Sequence, residues 1–288
     1  MGFADCSAPR MTAQEQKAYR DSIEAWHAKR IADVRAPNGW LNLIGLHWLS
    51  PGINTFGSDD KNSIVFPKGK IAEDAGYFQV TDGKVILVAK PAAAITSGGT
   101  PVTELVIYHP DSARPVRVES GTLSWTIIKR DTRLGIRLRD AESEVVKNFK
   151  GIERFRVDPS YRTEARFEKA DSSNTISITN ILGQTSNQKS PGTLVFNLRG
   201  QENRLAVLDE GDEYFIVFAD ETTGKETYGG GRFIYVKKPL ADEKIIIDFN
   251  KAYNPPCVFT PYATCPLPPR QNHLSIAIKA GEKNFGDH

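Results

Sequence analysis

The chain has 288 residues, of which 40% are hydrophobic and 25% charged, as in an ordinary soluble globular protein of about two domains. Its 37 basic and 35 acidic residues are interspersed and give a net charge of +2, which argues against nucleic acid as a partner. No apolar stretch approaches the ~20 residues of a transmembrane helix, and three cysteines are too few for a fold built on disulfides.

The N-terminal stretch MGFADCSAPRMTAQEQ has neither the basic nor the apolar region of a signal peptide. As given, the chain is therefore predicted to be cytoplasmic. An alternative interpretation is that Cys6 is a lipidated cysteine of an exported protein, if a signal peptide ahead of it was removed. Both interpretations stay open on the sequence.

Residues 1–36 are predicted to form a tail followed by an amphipathic helix. Thr12 begins the helix, and Glu15 follows three positions later, which is the pattern of a capping box. The apolar residues that recur at helical spacing are Tyr19, Ile23, Trp26, Ile31 and Val34.

Residues 37–142 read as many short strands separated by turns, which predicts a β-sandwich. Asp82-Gly83 and Asp131-Thr132 separate strand-like runs in the way that hairpin turns do. Residues 143–160 break the rhythm and are predicted to be a junction. Strand-like runs then resume over residues 161–288, which predicts a second β-rich domain whose last strand is LSIAIKAG.

The stretches FGSDDKNSIVFP, AGYFQVTDGKVILVAK and ITSGGTPV resemble a forkhead-associated (FHA) β-sandwich. Members of that family hold phosphothreonine with an Arg that follows a glycine and with a Ser on the next loop. Here Gly57 is followed by Ser58, and the loop at residues 75–77 has no matching Ser. The resemblance therefore implies a scaffold for a protein partner and does not support phosphopeptide binding.

A second resemblance covers nearly the whole chain. The segments GWLNLIGLHWLSPGINTFGSD, LGIRLRD, TGKETYGGGRF and DFNKAYNPPCVFTPYATCPLPPRQNHLSIAIKAGEK are similar to an uncharacterised bacterial family, domain of unknown function family 1684. This resemblance implies a two-part β architecture. It implies no activity, and no catalytic residue can be taken over from the family.

The segment from Asp248 to Leu274 is rich in proline, which fixes the backbone and removes hydrogen-bond donors. It is therefore predicted to be a long rigid loop without helix or central strand. One interpretation is that the loop holds the side chains of a site. The other is that it covers an open sheet edge.

Polar groups in this loop make it the predicted site. Asp248 and Asn250 point to one face of a strand, and Arg232 in the GGGRF run is the predicted cationic partner of Asp248. Such a pair would bind a carboxylate, a phosphate or sugar hydroxyls, or it would be a structural salt bridge. The catalytic candidates are Asp248, Cys257 and Arg232. The ligand-binding candidates are Arg232, Tyr228, Asn250, Tyr253, Asn254, Thr260, Tyr262 and Asn272.

Cys257 and Cys265 are not spaced like the cysteines of a zinc or redox motif. They are predicted to be buried thiols or a disulfide, with a nucleophilic Cys257 less favoured, and we predict no metal and no cofactor. The chain is therefore predicted to bind a small polar or anionic molecule, with or without turnover. The alternatives are a non-catalytic scaffold that binds a protein partner and a structural envelope lipoprotein.

Overall fold

The structure, a computed structural model, describes residues 11–112, 114–240 and 244–286. Strands dominate these residues, so the prediction of a mainly β fold with an N-terminal helix is confirmed. No helix among them is long and apolar enough to cross a membrane. Cys6 lies outside the described residues.

The chain divides into two compact units, which do not follow the chain order. The first unit comprises Val34–Lys150 and the short segment Thr260–Ala263. The second unit comprises Met1–Asp33, Gly151–Phe259 and Thr264–His288.

Helix α1 (Ala13–Arg35) begins with the predicted capping box. The backbone N–H of Glu15 donates to Thr12 Oγ1 at 3.2 Å, and the backbone N–H of Thr12 donates to Glu15 Oε2 at 2.7 Å. The hydrogen bonds that the backbone N–H and the hydroxyl of Thr12 donate to Glu15 Oε2 lower the pKa of the Glu15 carboxyl. The cap is therefore reciprocal, because each residue satisfies the backbone donor of the other.

The first unit is built from two sheets that share one core. The sheet orders are β1-β11-β10-β9-β6-β7 and β3-β2-β4-β5-β8, and the core includes Phe56, Phe78 and Trp125. The strands are β1 (Leu43–Trp48), β2 (Gly52–Gly57), β3 (Ile64–Val65), β4 (Gly76–Thr81), β5 (Lys84–Ala89), β6 (Thr96–Ser97), β7 (Thr100–Pro101), β8 (Glu104–Tyr108), β9 (Val118–Ser120), β10 (Leu123–Arg130) and β11 (Arg133–Asp140), followed by α2 (Glu144–Asn148). The FHA likeness of this unit stays a prediction.

Two tight turns in the first unit lie where the sequence predicts them. Asp82 joins β4 to β5 with a φ of 51°, and Asp131 joins β10 to β11 with a φ of 51°. Aspartate tolerates the left-handed region better than most residues, which suits it to two-residue hairpins.

The second unit contains a six-stranded sheet of order β18-β17-β16-β15-β12-β19 and a separate β13–β14 hairpin. Leu194, Ile216 and Ile247 belong to its core. The strands are β12 (Arg162–Lys169), β13 (Thr175–Thr179), β14 (Thr185–Lys189), β15 (Gly192–Leu198), β16 (Gln201–Glu210), β17 (Glu213–Phe218), β18 (Arg232–Lys237) and β19 (Ile245–Asp248).

The C-terminal segment LSIAIKAG, residues 274–281, is not a strand, so this prediction is wrong. The carbonyl groups of Ile278 and Ala280 bond to a side chain instead of a neighbouring strand. Arg232 donates from Nη2 to the carbonyl oxygen of Ile278 at 2.9 Å and from Nη1 to that of Ala280. An arginine fork thus replaces the ladder that the apolar alternation of the segment suggested.

The predicted pairing of Arg232 with Asp248 is also wrong. Arg232 Nη2 lies 2.7 Å from Asp220 Oδ2, and both side chains are completely buried. Asp220 Oδ1 accepts from the backbone N–H of Thr222 at 2.8 Å and from that of Ile278 at 3.2 Å. Burial lowers the pKa of the Arg232 guanidinium, and the nearby Asp220 carboxylate opposes that shift. Arg232 is therefore a structural tie between β18 and the C-terminal segment.

We expect Asp220→Ala to lower the free energy of unfolding by about 3–5 kcal/mol, because it leaves a buried guanidinium without a counter-charge. Urea denaturation followed by circular dichroism measures the change. Asp209→Ala is the matched control, since Asp209 pairs with Lys238 at the surface. Equal losses in the two variants would contradict a special role for the buried pair.

Gly231 precedes this arginine in a position that admits no side chain. Its φ is +80°, and a Cβ there would lie 2.3 Å from Pro268 Cγ and 2.6 Å from the carbonyl oxygen of Phe218. We expect Gly231→Ala to cost about 1–3 kcal/mol from backbone strain alone. Gly229→Ala is the control, since the nearest atom to a Cβ there, Gly224 Cα, is 3.8 Å away. Thermal unfolding of both variants checks this, and similar melting temperatures would refute it.

Candidate functional site

Asp248 is the last residue of β19 and belongs to a small hydrogen-bonded cluster with Tyr19 and Asn250. Its Oδ1 accepts from the hydroxyl of Tyr19 at 2.8 Å and from the backbone N–H of Asn250 at 3.1 Å. Asn250 Nδ2 donates to the Tyr19 hydroxyl oxygen at 2.9 Å and to the carbonyl oxygen of Asp158 at 2.8 Å. Burial, and then the charge of Asp248, raise the pKa of the Tyr19 hydroxyl, which keeps it a donor. The carboxylate is therefore held in one orientation.

A cavity of about 470 Å³ opens beside this carboxylate within the second unit. Asp248 and Tyr253 line it, and so do the rings of Trp26 and Tyr235. Its basic lining residues are Arg162, Lys237, Lys238, Lys244 and Lys251. Glu213 is the other acidic residue of the lining. The lining thus has five basic and two acidic residues, a ratio well above the 37 to 35 of the whole chain.

The cations of the cavity differ in what they already bind. Lys238 lies 2.7 Å from Asp209, and Lys244 lies 2.8 Å from Glu164. Arg162, Lys237 and Lys251 form no ion pair with any acidic group in the part of the chain that the structure describes. These three groups keep their charge available to a bound molecule.

Tyr253 is held against the cavity by aromatic and cationic contacts. Its ring stacks with that of Tyr235 at a centroid distance of 6.2 Å and an interplanar angle of 11°. The Arg30 guanidinium lies 4.7 Å from the centroid of the Tyr253 ring. Burial raises the pKa of the Tyr253 hydroxyl, and the neighbouring Tyr235 adds to that shift. The ring is therefore both positioned and protonated.

Arg30 is in turn positioned by a buried carboxylate. Glu282 is fully buried, and its Oε1 accepts from Arg30 Nε at 3.3 Å. Its Oε2 accepts from the backbone N–H of Asn254 at 2.7 Å. Burial raises the pKa of the Glu282 carboxyl, whereas the Arg30 charge opposes the shift. Glu282 thus acts on the cavity through Arg30 and Tyr253.

The remaining predicted site residues lie elsewhere. Asn254 is buried and donates from Nδ2 to the carbonyl oxygen of Lys283 at 2.7 Å. Asn272 bridges β16 and β17, with Nδ2 2.9 Å from the carbonyl oxygens of both Ala206 and Val217. Arg232 is buried and bonds to Asp220 and to the C-terminal segment, as described above. None of these three residues lines the cavity.

Thr260 and Tyr262 belong to the segment that groups with the first unit. Thr260 Oγ1 donates to the carbonyl oxygen of Leu43 at 2.8 Å, and Tyr262 is partly exposed. Burial, and then the charge of Cys257, raise the pKa of the Tyr228 hydroxyl, and neither Tyr228 nor Cys257 lines the cavity. The structure therefore brings Asp248, Asn250 and Tyr253 together and separates them from the other candidates.

Ten of the twelve residues that line the cavity are not among the site residues predicted from the sequence, and these ten include Trp26, Arg162, Tyr235, Lys237 and Lys251. One signal was present in strand alternation. Tyr235 and Lys237 are exposed while their neighbours Ile234 and Val236 are buried, so one face of β18 is polar. Which residues lie beside that face depends on the order of the strands in the sheet. A local sequence pattern does not contain that order. Among the described residues, no cluster of three or more His, Cys, Asp or Glu is placed to hold a metal ion.

We expect Tyr253→Phe to reduce the alkaline loss of stability. The folded chain raises the pKa of this hydroxyl, so its contribution is present below about pH 10 and is lost as the pH rises and the unfolded chain ionises. Melting temperatures at about pH 9 and pH 11 should therefore differ less in the variant than in the unsubstituted protein. Comparison near pH 7 separates this effect from the packing change, and equal alkaline losses would contradict it.

Residues 147–283 match the model of a family described as "Protein of unknown function (DUF1684)". The first unit up to residue 146, including the segments GWLNLIGLHWLSPGINTFGSD and LGIRLRD, lies outside that match. A search of curated proteins finds no match.

The chain is also similar to a solution NMR structure of an uncharacterized protein of Haloarcula marismortui, with 33% identity and a TM-score of 0.42. The alignment covers 50% of this chain and 82% of that one. Residues 147–283, which match the family model, contain the GGGRF run, β19 and the proline-rich loop. Over residues 147–283 the chain is therefore similar to the DUF1684 family, whose function is unknown.

Proposed function

We propose that the cavity beside Asp248 binds a small anionic molecule that contains a flat ring. The observation that carries this proposal is the placement of Arg162, Lys237 and Lys251 around aromatic rings in one cavity. A volume of about 470 Å³ is that of a small-molecule site. A solvated surface would not require cations and rings to surround one concave space.

Electrostatics favours an anion over a neutral molecule. Guanidinium and ammonium groups form their strongest hydrogen bonds with phosphate and carboxylate oxygens. Because the three cations share the wall of one cavity, a bound anion would also relieve their mutual repulsion. The ligand charge that suits this excess is one or two negative charges.

Aromatic residues supply the second part of the recognition. Trp26, Tyr235 and Tyr253 present rings to the cavity, and flat rings of a ligand stack on such surfaces. Tyr253 is already held in place by Arg30, so little ordering cost remains when a ligand binds.

Asp248 supplies a hydrogen-bond acceptor for the ligand. Tyr19 and Asn250 use its Oδ1, and its Oδ2 has no hydrogen-bond partner among the described residues. A hydroxyl or amino group on the ligand ring would donate to Oδ2. Asp248 is therefore an anchor in this proposal, and a base only if the ligand carries an acidic proton within reach.

Isothermal titration calorimetry with phenyl phosphate tests the proposal, with inorganic phosphate and phenol as partial probes. Phenyl phosphate should bind more tightly than either, because it alone presents both the charge and the ring. Added salt should weaken its binding, since the cations are partly exposed and therefore screened. Equal binding of phenyl phosphate and inorganic phosphate would remove the aromatic part of the proposal.

We expect Lys251→Ala and Arg162→Ala each to weaken phenyl phosphate binding by about tenfold, the effect of losing roughly one charge-assisted hydrogen bond. Lys29→Ala is the matched control, because Lys29 is exposed on α1 and pairs with Asp33. Trp26→Ala should weaken phenyl phosphate but leave inorganic phosphate unchanged. The proposal fails if the Lys251 and Lys29 variants bind alike.

A further inference from the structure

Cys257 and Cys265 lie at the two ends of the stretch CVFTPYATC in the proline-rich loop. Both are thiols in this structure, and their side chains are buried with exposed fractions of 8% and 5%. Cys257 lies in a single 3₁₀ turn, Pro256–Val258. Neither residue lines the cavity described above.

The two cysteines bind each other reciprocally. The backbone N–H of Cys257 donates to Cys265 Sγ at 3.1 Å, and the backbone N–H of Cys265 donates to Cys257 Sγ at 3.3 Å. Each sulfur is thus turned toward the main chain of the other residue, so the two side chains lie side by side. The hydrogen bond with the Cys265 thiol lowers the pKa of the Cys257 thiol, against the effect of burial.

Backbone contacts hold each cysteine independently of its sulfur. On the first side, the backbone N–H of Val258 donates to the carbonyl oxygen of Pro255 at 3.1 Å. On the second side, the carbonyl oxygen of Cys265 accepts from the backbone N–H of Ile181 at 3.0 Å. Pro256 and Pro266 adjoin the two cysteines and restrict φ. The main chain therefore keeps the thiols together without a covalent bond.

A metal ion does not account for this arrangement. Zinc sites need four ligands, of which at least three come from the protein. In the described ranges, no third His, Cys, Asp or Glu joins this pair to make such a cluster. Two adjacent thiols without a third ligand are suited to bonding with each other.

We propose that Cys257 and Cys265 form an intramolecular disulfide that closes the CVFTPYATC stretch into a ring, with a low-molecular-weight disulfide as the oxidant. With oxidised glutathione, the Cys257 thiolate attacks one sulfur and releases one glutathione thiolate. The Cys265 thiolate then attacks Cys257 Sγ in the mixed disulfide and releases the second. Two electrons pass from the cysteines to glutathione, and the two thiol protons end on the released glutathione thiolates.

The closed ring would enclose the seven residues between the two cysteines. The residues between the cysteines include Thr260–Ala263, which group with the first unit, and Thr260 donates to the carbonyl oxygen of Leu43. Closing the ring restricts the unfolded chain and thereby stabilises the folded loop. The disulfide is independent of the proposed anion site, since no cavity residue takes part in it.

Peptide mapping after refolding tests the bond. The full chain carrying Cys6→Ser is refolded in mixtures of reduced and oxidised glutathione, remaining thiols are alkylated, and protease fragments are identified by mass spectrometry. We expect one fragment pair joined through Cys257 and Cys265, with neither cysteine alkylated. Alkylation of both cysteines at every glutathione ratio, or glutathione on each, would overturn the proposal.

Thermal unfolding supplies a second measurement. Addition of dithiothreitol should lower the melting temperature of the refolded Cys6→Ser chain and leave that of the Cys6→Ser/Cys257→Ser/Cys265→Ser variant unchanged. A melting temperature that does not respond to the reductant in the first chain would contradict the proposal. If the triple variant does not fold, the peptide map alone tests the disulfide. Phenyl phosphate binding of the oxidised chain is measured separately, so that failure of the disulfide proposal is distinguished from failure of the anion-site proposal.

Discussion

The second unit depends on one buried ion pair, between Arg232 and Asp220. Removing two charges from water is costly, and the cost is offset by their attraction and by further hydrogen bonds to both groups. The two Nη atoms of Arg232 bond Asp220 and the carbonyl groups of Ile278, Ala280 and Glu282, whereas its Nε has no hydrogen-bond partner among the described residues. Asp220 in turn accepts from the backbone of that segment at Ile278. Two side chains thus bind the backbone of residues 278–280, whereas a neighbouring strand binds the backbone elsewhere in the sheet.

The consequences of this pair reach the proposed site. The segment that Arg232 holds continues directly to Glu282, which binds Arg30 and the backbone of Asn254. Arg30 lies over Tyr253, and Tyr253 lines the cavity. The order of charges along this path alternates in sign, so each buried group is compensated by the next. The cavity wall is therefore supported from inside by ionic contacts and not only by apolar packing.

The parts that could be predicted were local. The capping box at Thr12 and Glu15, the hairpin turn at Asp82 and the absence of α-helix and central strand in the proline-rich loop each depend on residues a few positions apart. The polar end of β19 was also visible, because Asp248 and Asn250 follow a run of isoleucines. Their carboxylate and amide chemistry could be identified, but Tyr19, their partner, is far away along the chain.

The mainly β class, the start of the helix, the tight turns and the position of the proline-rich loop could all be read from the amino-acid sequence. These follow from backbone restrictions and from spacing within a few residues. The sequence did not reveal that Arg232 pairs with Asp220, that residues 274–281 form no strand, or that Arg162, Lys237 and Lys251 line one cavity. Ion pairing and strand order depend on which distant segments of the chain come into contact. The alternation of polar and apolar residues along one strand does not specify which strands lie beside it.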